Sequence, residues 1–327
     1  MTGLSDSFQR PVNYLRVSVT DRCDLRCIYC LPPQGIPLMP RGDILSYEEI
    51  YAVVKVAAEL GITKVRLSGG EPLIRAELAK LVAMLAQIEA IDDISLTTNG
   101  VWLKQRAAEL KQAGLRRVNV SLDSLRRDRF EHITRSDNLG QVLEGIEAAK
   151  DVGLRPVKIN MVVMGGINDD ELLDFARQSI EPGWHVRFIE LMPFAREQPT
   201  AAKFVPLREM KERLGALGTL EPCLPAVGNG PAKYFRLPGA RGTIGFITPV
   251  SEHFCFSCNR LRLTADGGLR PCLLADDAID LRRALRGGGS LEEVRRLIQE
   301  AVASKPERHR LEEGLGPKPG AMARIGG

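Results

Sequence analysis

The stretch YLRVSVTDRCDLRCIYC, residues 14–30, sets a strand directly against a group of cysteines. Tyr14, Arg16 and Ser18 alternate with apolar Leu15, Val17 and Val19, the period-two signature of a β-strand. Cys23, Cys27 and Cys30 follow at C-x3-C-x2-C and then stop; the next cysteine is Cys223 and the first histidine is His132. A structural zinc site closes with four ligands, whereas a catalytic metal site keeps one position open. Three thiols on one loop therefore leave a place for an incoming ligand.

Five more β-rich runs follow: KVRLSG (64–69), DISLTT (93–98), RRVNVSLD (116–123), PVKINMVV (156–163) and HVRFIEL (185–191). Amphipathic segments such as 46–60 and 76–89 separate them. In the first of these, Ile50, Val53, Val54, Ala57 and Ala58 repeat at helical spacing, Ser46 and Glu49 form a capping box, and Gly61 ends the helix. Six βα units predict a parallel sheet. An open wound sheet and an incomplete barrel both fit, and both bind ligands at the carboxyl ends of their strands. The expectation is an α/β fold, an incomplete (βα)6-type TIM barrel over residues 1–193, with a C-terminal extension over 194–327. In the extension, 195–206 reads as linker, 206–217 and 290–304 as helices, 233–270 as short strands and turns, and 314–327 as a Gly/Pro-rich tail.

Of the 327 residues 44% are hydrophobic and 26% charged, ordinary values for a soluble globular protein. No run approaches the ~18 apolar residues of a membrane span, and the first sixteen residues lack a secretory pattern. A cytoplasmic location is expected, where close-spaced cysteines read as metal ligands before disulfides. The net charge of +4 suits an anionic ligand without establishing a nucleic-acid partner.

A second cysteine group, Cys255, Cys258 and Cys272, has the spacing C-x2-C-x13-C, again three and not four. A zinc ribbon is one reading of it, with His253 as a possible fourth ligand; Cys223, in the setting PCLP, offers no paired spacing.

C-x3-C-x2-C with Tyr29 before its last cysteine resembles the signature of the radical SAM superfamily, and LSGGEPL (67–73) resembles that family's GGEP motif. The resemblance implies a 4Fe-4S cluster on Cys23, Cys27 and Cys30 whose open iron is chelated by S-adenosylmethionine. One electron then yields methionine and a 5′-deoxyadenosyl radical. Two incomplete triads, the second beside CNRLRLT (258–264), with SVTDRC (18–23), LTTNG (96–100), VSLD (120–123), RFIELMP (187–193) and the terminal Gly326-Gly327, resemble the MoaA-type GTP 3′,8-cyclases over nearly the whole chain.

That family opens molybdenum cofactor biosynthesis by converting GTP to (8S)-3′,8-cyclo-7,8-dihydroguanosine 5′-triphosphate. The resemblance implies a second 4Fe-4S cluster on Cys255, Cys258 and Cys272 whose open iron binds the purine. It assigns Arg16, Arg66, Thr97, Lys158, Arg260, Leu261 and Arg262 to GTP, with Arg16, Arg260 and Arg262 as catalytic residues. Tyr29, Gly70, Ser121 and Met192 go to S-adenosylmethionine, and Lys64 and Arg187 are further substrate candidates. Guanidinium groups suit a triphosphate because they pair with phosphate in bidentate fashion and keep their charge. The terminal glycines are expected to enter the active site. Implied partners are a reducing electron donor and, transiently, the cyclic pyranopterin monophosphate synthase; no nucleic acid or membrane is expected, and the chain is a monomer or homodimer. Two other readings stay open: a peptide-modifying radical SAM maturase with an auxiliary cluster, and a non-catalytic zinc module.

Overall fold

The computed structural model of the protein describes residues 3–192, 203–225, 227–313 and 321–326. The six expected strands are present as β1 (Tyr14–Ser18), β2 (Lys64–Ser68), β3 (Asp93–Thr98), β4 (Arg117–Ser121), β5 (Lys158–Val163) and β6 (His185–Glu190). Six shorter strands follow: β7 (Glu221–Pro222), β8 (Lys233–Arg236), β9 (Thr243–Ile247), β10 (Arg260–Leu263), β11 (Gly268–Arg270) and β12 (Ile279–Asp280). All twelve form one sheet in the order β12-β11-β10-β1-β2-β3-β4-β5-β6-β9-β8-β7.

The parallel part of the sheet is wider than six strands. β10 adds parallel to β1 on one side and β9 adds parallel to β6 on the other. Beyond them the pairing turns antiparallel, β10 with β11 and β11 with β12 on one side, β9 with β8 and β8 with β7 on the other. The order ends in two different strands, so the sheet is an open, partial barrel. The strands contributed from beyond residue 194 thus extend the same sheet at both edges.

The strand faces divide the molecule. Leu15, Val17, Val65, Leu67, Leu96, Val118, Val120, Ile159, Met161, Val186 and Phe188 are buried on the outer face, in the main apolar cluster. The helix Tyr47–Glu59 covers part of it. Its Ser46–Glu49 capping box satisfies the free N-terminal amides, and Ile50, Val53, Val54, Ala57 and Ala58 form its buried stripe. Truncating Ile50, which is fully buried, to Ala costs about 2–5 kcal/mol. The opposite face carries Arg16, Arg66, Ser68, Thr97, Asn119, Ser121, Asn160, Arg187 and Arg262. Closed barrels fill this face with branched apolar side chains. A polar, cationic interior in a parallel sheet marks it as a ligand chamber.

The expected linker at 195–206 lies mostly outside the described residues. Within the Gly/Pro-rich tail Ala321–Ile325 is a short helix, while 314–320 and Gly327 lie outside the described residues. Among the described residues no helix is long and apolar enough to cross a membrane.

Candidate active site

Both cysteine triads, together with Arg16, Arg66, Arg187, Arg260 and Arg262, line one cavity of about 300 Å³ at the carboxyl end of the sheet. This is the arrangement that local spacing could not reveal.

The first triad sits on the loop leaving β1. Cys30 N and Leu31 N both donate to Cys27 O at 2.9 Å, curling the loop into a turn. The end of the helix Arg127–Thr134 holds it from outside, through Arg26 N to Thr134 O at 3.0 Å and Ile28 N to Ile133 O at 2.9 Å. Arg135, at φ +56°, donates from Nη1 to the carbonyls of Arg26 (2.6 Å) and Leu31 (3.0 Å).

From the other side the Gly69-Gly70 turn presses on the loop. Gly70 N donates to Thr20 O and Glu71 N to Arg22 O, both at 2.7 Å. A β-carbon at Gly70 would collide with the carbonyl oxygen of Arg22, so this contact requires glycine. Pro72 then opens a short 3-10 turn capped by Glu71, as a proline at the first helical position does.

Two buried carboxyls organise this end, Glu71 of the GGEP turn and Asp123 of VSLD, neither of them assigned a role from the sequence. Glu71, 1% exposed, accepts from Leu73 N (2.9 Å), Thr98 Oγ1 (2.7 Å) and Asn99 N (2.7 Å), joining the ends of β2 and β3. Burial pushes its carboxyl up to about 7. Asp123, 4% exposed, accepts from Tyr29 Oη (2.7 Å) and Val162 N (2.8 Å), and burial raises it to about 6. The thiols follow the same physics: desolvation pushes Cys23 to about 12, Cys30 to about 11 and Cys27 well above its usual value.

The second triad is gathered from two segments, Cys255 and Cys258 before β10 and Cys272 after β11. Cations surround it. Arg10 Nη1 donates to Cys255 O at 2.7 Å, Arg260 Nη2 approaches Cys258 Sγ at 3.8 Å and Lys305 Nζ approaches it at 3.7 Å. Burial works against ionising Cys258, but Arg260 and Lys305 bring its thiol down to about 7. Cys223 is on the β7–β8 hairpin, its N bonded to Tyr234 O, and does not line the cavity. His253 does line it, edge-on to His309 at 5.5 Å between ring centroids.

Between the triads the strand register aligns three arginines, Arg262 beside Arg16 beside Arg66 on β10, β1 and β2. Like charges directly across strands repel. Burial lowers Arg66 and Arg262 to about 10, with Arg260 adding to the effect on Arg262. Guanidinium remains charged in proteins, so the row keeps buried like charges side by side, which a bound anion would compensate. Among the described residues, Nε of Arg187, Nε of Arg260 and Oδ1 of Asn160 are buried with no hydrogen-bond partner. Buried polar atoms without partners are costly; the two N–H donors suit an anionic ligand, whereas the Asn160 oxygen, an acceptor, calls for a donor.

The residues expected to hold S-adenosylmethionine, Tyr29, Gly70, Ser121 and Met192, all line the cavity. So do Arg16, Arg66, Thr97, Arg260 and Arg262 of the substrate set, and Arg187. Strand alternation turns the side chain of Leu261, 1% exposed, into the apolar core on the outer face, so only its backbone is left to serve as a GTP contact. Lys158 lies on the inner face, its ammonium donating to Val227 O at 2.6 Å and near Tyr234 Oη at 3.4 Å. Burial, then Arg187 and Arg117, depress it to about 6. Lys64 is half-buried and off the wall.

The tail reaches the cavity. Met322 and Ala323 line it, and Arg262 Nη1 donates to Gly326 O at 2.9 Å. A β-carbon at Gly326 would strike Ser68 Oγ, and Gly326 has φ +70°, so glycine is required twice over.

The donor sets fit iron–sulfur clusters. The three thiols of each triad line the cavity wall, and soft thiolates are the ligands that iron–sulfur clusters take.

Residues 17–178 match the Radical SAM superfamily model and 184–311 the model described as Molybdenum Cofactor Synthesis C. The GTP 3′,8-cyclase of Pelotomaculum thermopropionicum is 52% identical over 326 residues, 99% of this chain and 100% of that protein. The GTP 3′,8-cyclase of Moorella thermoacetica is 51% identical over 324 residues, 99% and 100% respectively. Among solved structures, Streptococcus suis SuiB bound to S-adenosylmethionine superposes with a TM-score of 0.62 at 14% identity, over 83% of this chain and 63% of SuiB. That likeness speaks for the fold. With relatives above half identity over 99% of its length and both family models matched along it, the chain belongs to the GTP 3′,8-cyclase family of the radical SAM superfamily.

Proposed function

We infer that the protein is a GTP 3′,8-cyclase. It carries two 4Fe-4S clusters and uses S-adenosylmethionine to convert GTP to (8S)-3′,8-cyclo-7,8-dihydroguanosine 5′-triphosphate, the first step of molybdenum cofactor biosynthesis. The observation that carries this reading is the single cavity shared by both triads and the arginine row.

Cys23, Cys27 and Cys30 would hold the first cluster, and Cys255, Cys258 and Cys272 the second. When bound, the first cluster and S-adenosylmethionine supply the 5′-deoxyadenosyl radical that takes hydrogen from ribose carbon 3′. The chain's own residues provide position. Tyr29, Gly70, Ser121 and Met192 frame the S-adenosylmethionine end, and Asp123 fixes the Tyr29 hydroxyl. Arg16, Arg66, Arg187, Arg260 and Arg262 take the triphosphate, exchanging mutual repulsion for charge-assisted hydrogen bonds. Thr97 lies between the two ends on β3. The terminal helix and Gly326 cover the cavity and exclude water, which protects a reactive intermediate. Orientation matters most here, because one ribose hydrogen must be chosen among several.

A reducing electron donor and transient delivery of product to the cyclic pyranopterin monophosphate synthase complete the reading, in the cytoplasm. The two sequence units, 1–193 and 194–327, would then divide the work between radical generation and substrate holding. The test is anaerobic loading with iron and sulfide, then reductant and S-adenosylmethionine with and without GTP. The expected result is 5′-deoxyadenosine with a cyclised, non-aromatic isomer of GTP only when GTP is present. No S-adenosylmethionine cleavage from fully loaded protein would overturn the reading.

A further inference from the structure

Lys305 follows the helix Leu291–Ala303 and is 4% exposed. A buried ammonium needs partners, and it has three hydrogens to give. Its acceptors are Arg260 O at 3.0 Å, Pro271 O at 3.0 Å and Cys258 Sγ at 3.7 Å. Arg260 lies two residues after Cys258, and Pro271 immediately precedes Cys272. One side chain thus bonds both segments that carry the second triad and touches a ligating sulfur directly.

The neighbouring cations act differently. Arg10 reaches the carbonyl of Cys255 and not a sulfur. Arg260 approaches the same Cys258 Sγ, but its guanidinium is also on the cavity wall, where substrate competes for it. Lys305 does not line the cavity. At the first triad the side-chain contact to sulfur is acidic, Asp24 Oδ1 at 3.9 Å from Cys23 Sγ.

We propose that Lys305 is a positioning residue that locks the two segments of the second triad together and, through its charge at Cys258 Sγ, makes the second cluster easier to reduce than the first. This rests on the two-cluster reading above. Reduction adds one negative charge to a cluster, and hydrogen bonds to its sulfurs and nearby fixed charge set the potential. A buried ammonium stabilises that added charge, and a carboxylate opposes it.

The test is a potentiometric titration of the full chain, loaded anaerobically, with the two cluster signals followed separately by electron paramagnetic resonance. In Lys305→Met the second-cluster midpoint should fall by about 59 mV or more, a tenfold loss of reduced fraction at fixed potential for one electron. The first-cluster midpoint should stay in place, and Lys305→Arg should recover part of the shift. An unmoved second midpoint in Lys305→Met holding both clusters overturns the proposal. If that variant fails to retain the second cluster, the wild-type protein labelled with 15N only in lysine side chains decides. Its reduced second cluster should show a 15N coupling and an exchangeable proton in pulsed spectra, and their absence overturns the proposal. Wild-type protein that takes up iron and sulfide at one triad only overturns the two-cluster reading, and this inference with it.

Discussion

The two triads present the same number of thiols in opposite surroundings. The first occupies one eight-residue loop, packed against the Gly69-Gly70 turn, with Asp24, Glu71 and Asp123 as the charged groups acting on its thiols and Arg26 and Arg135 bonded to its backbone carbonyls. The second is assembled across β10 and β11 and ringed by Arg10, Arg260, Arg262 and Lys305. Burial and acidic neighbours resist negative charge at the first; cations invite it at the second. A strongly reducing centre and an anion-receiving centre can therefore share one cavity and keep separate roles.

Ligand substitutions should break the comparison most completely. Cys27→Ala should abolish S-adenosylmethionine cleavage, whereas Cys272→Ala should keep cleavage and lose cyclised product, each to below about a hundredth of wild type. Equal loss of cleavage in both would mean the centres are not separable. The protein stripped of iron offers a second separation. With Cys258 near 7 and Cys23 and Cys30 near 12 and 11, iodoacetamide at pH 7 should label Cys258 faster by about a hundredfold, its larger thiolate fraction outweighing its lower nucleophilicity. Mass spectrometry of timed samples would show it, and uniform labelling would contradict the electrostatic contrast.

A smaller effect is expected at the arginine row. Arg262→Met removes a charge-assisted phosphate contact of about 1.5–3 kcal/mol, so GTP binding should weaken about 10–100-fold, while S-adenosylmethionine affinity is unchanged. Calorimetry with each ligand checks both halves. The least dramatic effect is a pH slope at the first site. Asp123 and Glu71 have folded-state values, about 6 and about 7, above their unfolded ones. Their protonated forms stabilise the fold fully below about pH 4, and this is lost as pH rises through 6 to 7. Asp123→Asn should flatten that slope by about 2–3 kcal/mol in urea unfolding of the iron-free protein between pH 4 and 7.

Much of this was readable in the chain. Period-two runs and helix caps located β1 to β6, because those signals are local. The flanking pairings of β9 and β10 were not, because which distant strand joins a sheet edge depends on the whole fold. The side-chain direction of Leu261 was legible: in Arg260-Leu261-Arg262-Leu263 strict alternation turns it away from the arginines. The face of Lys158 could be read, but its depth along the barrel depends on strand register and on the carbonyl of Val227. Glu71 and Asp123 gave no local sign of their burial, since their partners come from neighbouring strands.

The most direct test of a shared cavity uses GTP deuterated at ribose carbon 3′. With both clusters loaded, the 5′-deoxyadenosine formed should carry that deuterium, because the arginine row holds the ribose against the first site. Unlabelled 5′-deoxyadenosine accompanying cyclised product would contradict the account.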